Sequence, residues 1–291
     1  MNANALRLDH VLIAVRELDQ TPSIFGDKLG FKLTPEGRHP GRASHNRLIV
    51  FGSEYLELIG ILDPTEPVFR PNMVKFLESR EGLFIFALGT DDINSSVAAL
   101  RKTGVAVEDP IPGARHAQDG TISYSWSQSA IDVAATPGSQ TFFIQHHQSL
   151  SERYTEPNNP TEHPNGVLGI DHLTLAVHDA DSAAARWQTM FNLPRGYISQ
   201  ITKPGKASCV RLKLHNCFLD FVSPSGQGPL ADFLRQNGEA PLSLALRVRN
   251  LKATIDYLAA RGIRPTKTGT RTATINAMNS NSVPITLLEI D

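Results

Sequence analysis

Hydrophobic and polar positions along the chain fall into short recurring runs. Residues 10–15 (HVLIAV) alternate loosely, as a half-buried strand does. A short helix is predicted over 21–29, stopped by Gly30, and three strands over 31–36, 46–51 and 55–62. Gly52-Ser53-Glu54 supplies a tight turn between the last two strands. LFIFALGTDDI (83–93) and LSLALRVRNL (242–251) read as buried strands that lead into amphipathic helices ending at Gly104 and Gly262, where glycine suits a left-handed C-terminal position. Residues 71–79 form a short connecting helix, with Pro71 tolerable in a first turn that needs no backbone donor.

These runs repeat. LDHVLIAVRELD (8–19) resembles IDHLTLAVHDAD (170–181), which places His10 and His172 162 positions apart. Tyr55-Leu56-Glu57-Leu58-Ile59 resembles Phe218-Leu219-Asp220-Phe221-Val222, with Glu57 and Asp220 163 positions apart. A finer repeat relates AALRKTGVAVEDP (98–110) to YLAARGIRPTKTG (257–269). The expected fold class is therefore α+β, built of four tandem βαβββ modules at 8–62, 82–148, 168–223 and 241–291. They fall two by two into the domains 1–148 and 167–291. Between these, SLSERYTEPNNPTEHPNG (149–166) is rich in Pro, Asn and charge and reads as a linker, with His163 exposed.

The 291 residues suit two domains of roughly 150. With 41% hydrophobic and 20% charged residues the composition is that of an ordinary soluble protein. A formal net charge of −1 and the lack of a basic stripe argue against nucleic acid as a partner. No apolar run reaches bilayer length, and residues 1–7 do not resemble a secretory signal, so no membrane partner and a cytoplasmic location are expected. Cys209 and Cys217 suggest no disulfide framework and are expected to be buried thiols. Phosphate loops, HExxH and Gly-x-Ser-x-Gly are absent.

An opening strand carrying Asp-His and a later strand carrying a carboxylate among apolar residues resemble the landmarks of the vicinal oxygen chelate superfamily, the glyoxalase/bleomycin-resistance/dioxygenase fold. The first half, with GRHPGRASHNRLIVFGSEYLELIGI (37–61) and TFFIQHH (141–147), is similar to its glyoxalase-like domains. The resemblance implies that each pair of modules forms one curved-sheet domain around a cavity, and an enzyme of lyase, isomerase or dioxygenase-like type, acting on a small carbonyl or vicinal-oxygen substrate. A divalent metal (Fe, Mn, Ni, Co or Zn) would sit where four positions converge. Those positions are His10, Glu57, Ile85 and Gln145 in the first half and His172, Asp220, Ser243 and Glu289 in the second. The metal candidates are thus His10, Glu57, Gln145, His172, Asp220 and Glu289, with His45, His146 or His147 as substitutes. Imidazole and carboxylate suit such ions, but Ile85 and Ser243 each remove a ligand. That leaves open an alternative, a metal-free binding or sequestering protein.

In the polar loop before the strand at 46–51, Arg42, His45 and Arg47 are candidate substrate-binding residues, because guanidinium matches carboxylate or phosphate. Arg38 and a second polar loop with Arg115, His116 and Asp119 carry the same two readings, ligand contact or solvated surface. Tyr124 and Trp126 are expected in the core. Four modules in one chain allow either a monomer or a homodimer.

Overall fold

The computed structural model describes residues 6–63, 71–153, 161–201 and 207–290. Its first half contains β1 (Arg7–Ala14), β2 (Gly37–His39), β3 (Ser44–Val50), β4 (Tyr55–Ile61), α1 (Pro71–Ser79), β5 (Gly82–Gly89), α2 (Ile93–Arg101), β6 (Ile111–His116), β7 (Ile122–Ala130) and β8 (Thr141–His146). After α3 (Leu150–Arg153), the second half runs β9 (Val167–Ala176), α4 (Ala180–Phe191), β10 (Arg195–Ile201), β11 (Ala207–Lys213), β12 (Phe218–Pro224), α5 (Pro229–Asn237), β13 (Ala240–Val248), α6 (Leu251–Ala259), β14 (Thr266–Lys267), β15 (Thr272–Ile275) and β16 (Ile285–Glu289). No helix among the described residues is long and apolar enough to cross a membrane.

The duplication is visible in the hydrogen-bonding order. The first half is β1-β4-β3-β2-β6-β7-β8-β5, and the second is β10-β11-β12-β9-β13-β16-β15-β14, the same connectivity with β9 in the place of β1. The difference is closure. Arg38 of β2 pairs with His116 of β6, so the first sheet closes into a barrel, while the second stays open between β10 and β14.

Register follows the pattern of side chains. Leu8, Val11 and Ile13 point from β1 into a core that continues into the second half, whereas Leu12 and Ala14 point into the barrel. The shared core joins the halves through aromatic rings. Phe86 of β5 stacks on Trp187 of α4 at 5.8 Å, Phe143 meets Phe191 edge-on at 6.1 Å, and Trp187 tilts against Phe221 at 5.8 Å. Such pairs add about 0.5–1.5 kcal/mol each beyond their buried area. Asn216 pins the start of β1, its side chain accepting from Leu8 N and donating to Leu8 O at 2.9 Å each, as a neighbouring strand would.

Two local expectations differ from the structure. The strand expected at 31–36 is not formed. Pro35 has no N–H to give to a ladder; the Thr34 hydroxyl instead accepts from Leu48 N while Thr34 N donates to Leu48 O. Pairing begins later, at β2. The helix expected at 21–29 is a π-helical stretch, Pro22–Lys28. It ends at Gly30, whose φ of 76° and whose approach to Tyr257 (a Cβ there would lie 2.3 Å from the ring) both require glycine.

Residues 154–160 of the linker expected at 149–166 lie outside the described residues, but His163 is not exposed as expected. His163 is 7% exposed and wedged edge-on against Phe31 and Phe51. Its Nδ1 accepts from Lys32 N and its Nε2 donates to Val50 O, both at 3.1 Å. Polar composition predicts exposure, but an imidazole with both nitrogens satisfied can be buried in its neutral form.

Burial pushes His163 down to about 4. The unfolded chain, with an ordinary histidine near 6.5, binds the proton first as pH falls. This contribution to stability is therefore complete above pH about 6.5 and is lost as pH falls toward 4, by at most about 3 kcal/mol. In urea unfolding at pH 8 and pH 4.5, His163→Gln is expected to narrow the difference in stability between the two by about 2 kcal/mol. An unchanged difference would show that His163 is not buried neutral.

Candidate functional site

The site begins with an irregularity. Along β1 the register against β5 moves from Leu8↔Leu88 to His10↔Ala87, so Asp9 is an extra residue. A bulge places consecutive side chains on one side of the sheet, and here it turns Asp9 and His10 inward together. The second half repeats it: Ile170↔Leu246 is followed by His172↔Ala245, with Asp171 extra.

Asp9 is 1% exposed. Its Oδ1 lies 2.8 Å from His10 Nδ1 and 3.1 Å from His146 Nε2. A carboxylate oxygen only accepts, so His10 carries its proton on Nδ1 and His146 on Nε2. Burial raises the Asp9 carboxyl, but the two imidazoles, His146 foremost, outweigh it and hold Asp9 well below the carboxylate range. Burial in turn lowers His146 against the pull of Asp9. His10 stacks on Tyr55 at 4.5 Å and meets Phe142 edge-on, which fixes its ring plane. Its remaining nitrogen, Nε2, faces the barrel interior, 3.4 Å from Glu57 Oε2.

Glu57 is held from the other side. Asn46 Nδ2 donates to its Oε1 at 2.7 Å, and His39 Nε2 lies 3.6 Å from the same oxygen. Asn46 is itself fixed by Arg115 Nε at 2.8 Å. Arg115, 5% exposed, anchors through Nη2 on Pro35 O. It passes directly over Gly37, where a Cβ would fall 2.2 Å from the guanidinium carbon, so this position admits no side chain. Arg42 donates to Gln128 and to Pro112 O and lies over the Trp126 ring. Burial lowers Arg42, opposed by the charge of Glu57. These groups line a cavity of about 50 Å3, room for a handful of water-sized groups.

Of the residues singled out in the sequence, His10, Glu57, Arg42, Arg115 and His146 meet in this cavity. Gln145 does not. On β8 the inward positions are Phe142, Ile144 and His146, while Gln145 turns outward and accepts from Ile93 N, the first residue of α2. His45 and Arg47 are on the outer face of β3, both beside Glu36 at 3.0 and 3.7 Å. The inward parity of β3 belongs to Ser44, Asn46 and Leu48. Ile85 is inside the barrel but level with Leu12; the residue level with His10 is Ala87. Tyr124 and Trp126 are buried in the barrel's core, as expected, and also line the cavity.

In the second half, Glu289 takes the role of Gln145, accepting from Leu251 N, the first residue of α6, at 2.5 Å. Both residues cap a helix N-terminus and lie on the far face of the sheet from the histidine. His172 and Asp220 do converge, at 3.6 Å. Asp220, however, is engaged by both arms of Arg211, 2.6 Å at each oxygen. Cys209 and Cys217 are buried thiols outside any disulfide, as expected; burial pushes the Cys217 thiol far up.

Residues 8–191 match the model of the glyoxalase-like domain family. The chain belongs to this family. Residues 171–278 separately match the glyoxalase/bleomycin resistance protein/dioxygenase superfamily. No curated protein sequence matches. Among solved structures, a mutant of 4-hydroxymandelate synthase from Streptomyces coelicolor is similar over 98% of this chain and 93% of its own, with a TM-score of 0.75 at 12% identity. A hypothetical protein from Staphylococcus aureus is similar over 98% and 100%, with a TM-score of 0.68 at 15% identity. At these identities the likeness speaks for the fold.

For this glyoxalase-like chain, His39 and Asn46 support other groups without having been singled out in the sequence, and His146 and Arg115 take roles other than the ligand and anion contacts weighed for them. Asn46 and His146 share a strand face with other inward residues, so strand parity is the signal that could reveal them. It is hidden by the continuous apolar runs Leu48-Ile49-Val50 and Phe142-Phe143-Ile144, buried on both faces.

Asp9→Asn keeps the shape but removes the charge from both imidazole hydrogen bonds. We expect a loss of about 2–3 kcal/mol at pH 7 by urea unfolding. Because Asp9 lies below its unfolded value, its contribution is present above pH about 4 and lost below it, so the variant should also lose less stability than the parent between pH 4 and 2. Equal stability of the two proteins at pH 7 would contradict the bridging role.

Proposed function

We propose that the barrel of the first half is the reactive centre and that it moves a proton next to a carbonyl in a small, oxygen-rich substrate, as an isomerase or lyase does. One observation carries this reading: His10 has Nδ1 committed to the buried Asp9 while Nε2 faces a cavity shared with Glu57. This is the arrangement of a general base whose tautomer is fixed from behind.

Members of the superfamily commonly bind a divalent metal, which supplies Lewis acidity to a substrate carbonyl. The donors in the barrel do not fit that role well. His10 Nε2 and Glu57 Oε2 are spaced like two ligands of one ion, but Ala87 and Phe142 stand at the levels where further ligands are needed. His39 Nε2 is engaged with Asn46 at 3.2 Å. Among the described residues, no group of three or more His, Cys, Asp or Glu is placed to hold an ion.

The protein's own groups account for a proton transfer without one. The substrate C–H proton passes to His10 Nε2, and the electron pair moves onto the carbonyl oxygen. The imidazolium is stabilised by Asp9 at Nδ1 and by Glu57 at Nε2. Arg42, beside the cavity and held by Gln128, supplies a cation for the enolate oxygen. In a 2-hydroxy carbonyl substrate, transfer of the hydroxyl proton to the enolate oxygen and return of the carbon-bound proton from His10 to the former carbonyl carbon complete an isomerisation; collapse of the enolate with departure of a β-substituent, which leaves with its bonding electron pair, makes the reaction a lyase. Walls from Trp126, Phe142 and Met73 keep water from the enolate.

The test reads the proton transfer itself and works whatever the product. Small 2-hydroxy and 2-oxo carbonyl compounds are incubated with the protein in D2O, and loss of the α-proton signal is followed by NMR. Exchange is expected with at least one compound, to survive EDTA, and to fall at least about 100-fold in His10→Gln and Glu57→Gln. Exchange that EDTA abolishes would favour the metal, and exchange indifferent to both variants would remove the barrel from the reaction.

A further inference from the structure

The second half carries a cavity of its own, about 510 Å3, on the concave face of the open sheet and under α5. This volume is within the range of small-molecule sites. The geometry points to a second, metal-free binding site here, for an uncharged apolar molecule that carries a hydroxyl group and is aromatic in size.

The floor is polar and its chemistry is restricted. His172 Nδ1 donates to Asp171 Oδ1 at 2.6 Å, so a neutral ring presents Nε2 as an acceptor. Among the described residues Nε2 has no hydrogen bond, and Asp220 at 3.6 Å, a carboxylate paired with Arg211, has no hydrogen to donate to it. His172 lines the cavity with Thr174 and Ser243. An incoming O–H finds its acceptor in Nε2. Asp220 cannot be recruited to a cation at low cost, because Arg211 occupies both of its oxygens and also lies over Phe218 at 4.9 Å. Breaking such a bidentate pair leaves a guanidinium without its carboxylate.

Charge excludes the other classes. Asp171 and Asp220 together outnumber Arg211, and Arg247, behind Asp171, is paired with Glu54 at 3.0 Å. No Lys or Arg is among the described residues lining the cavity. An anionic ligand would therefore meet a net negative floor, and a metal would meet an occupied carboxylate. The walls, with Val222, Leu230, Phe233 and Leu242, suit an apolar ring. In the first half the residue paired across from Glu57 is Leu48; here the residue across from Asp220 is Arg211. This register position is one of the differences that separate the two floors.

The test uses the intact protein and three probes of one shape: 2-naphthol, naphthalene and 2-naphthoate, titrated by fluorescence. 2-Naphthol is expected to bind one equivalent, about three- to tenfold more tightly than naphthalene, the usual worth of one hydrogen bond. 2-Naphthoate should bind more weakly than 2-naphthol. Leu242→Trp, a half-buried position with space in front of it, should abolish binding of all three. His172→Phe should erase the preference for the hydroxyl while keeping naphthalene. 2-Naphthol binding that is absent, or unchanged in Leu242→Trp, overturns the proposal, as does tighter binding of 2-naphthoate. One equivalent of Co(II) held by the parent and lost in His172→Phe would make this a metal site instead.

Discussion

The bulge at Asp9 is the constraint on which the rest of the site depends. Without an extra residue in β1, strict alternation would turn Asp9 away from His10. With it, a buried carboxylate lies behind the imidazole and is shared with His146 from β8. Burial of that carboxylate is tolerable only because two donors converge on it. Two strands are thus tied at one oxygen atom, and the free nitrogen of His10 is aimed into the barrel. The same bulge at Asp171 shows that the device belongs to the repeated module itself.

What differs between the halves is what surrounds this shared device. Closure through β2 and β6 gives the first half a small enclosed cavity with Arg115, Asn46 and Glu57 locked in series. The second half remains open and keeps a larger, mostly apolar hollow whose carboxylate is already neutralised by Arg211. One scaffold thereby supports a compact polar centre and a roomy, mostly apolar hollow, back to back across a common core. This agrees with the general separation of fold from chemistry.

The fold is legible in the sequence because duplication and strand periodicity are long-range patterns that survive local irregularity. Both Asp-His strands, the Glu57/Asp220 correspondence and the helix at α1 can be read directly. Residue-level chemistry is less legible for physical reasons. In β8 and β16 the strands are apolar on both faces near the site, so no pattern corrects the family resemblance, which points Gln145 and Glu289 inward when in fact they cap helices. A one-residue shift of register reverses every side chain. His163 is hidden by the polar composition of its segment, since burial of a neutral imidazole depends on partners from residues 32 and 50 that no local pattern announces.

The central claim is that Asp9 fixes His10 with its proton on Nδ1 and its lone pair on Nε2 toward the cavity. Long-range nitrogen–proton NMR of uniformly 15N-labelled protein at about pH 7.5, above the usual histidine range, reports the tautomer of each histidine. With the His10 signals assigned by substitution, the account predicts a protonated Nδ1 and an unprotonated Nε2, a preference that collapses in Asp9→Asn. A His10 ring protonated on Nε2 in the unmodified protein would contradict it.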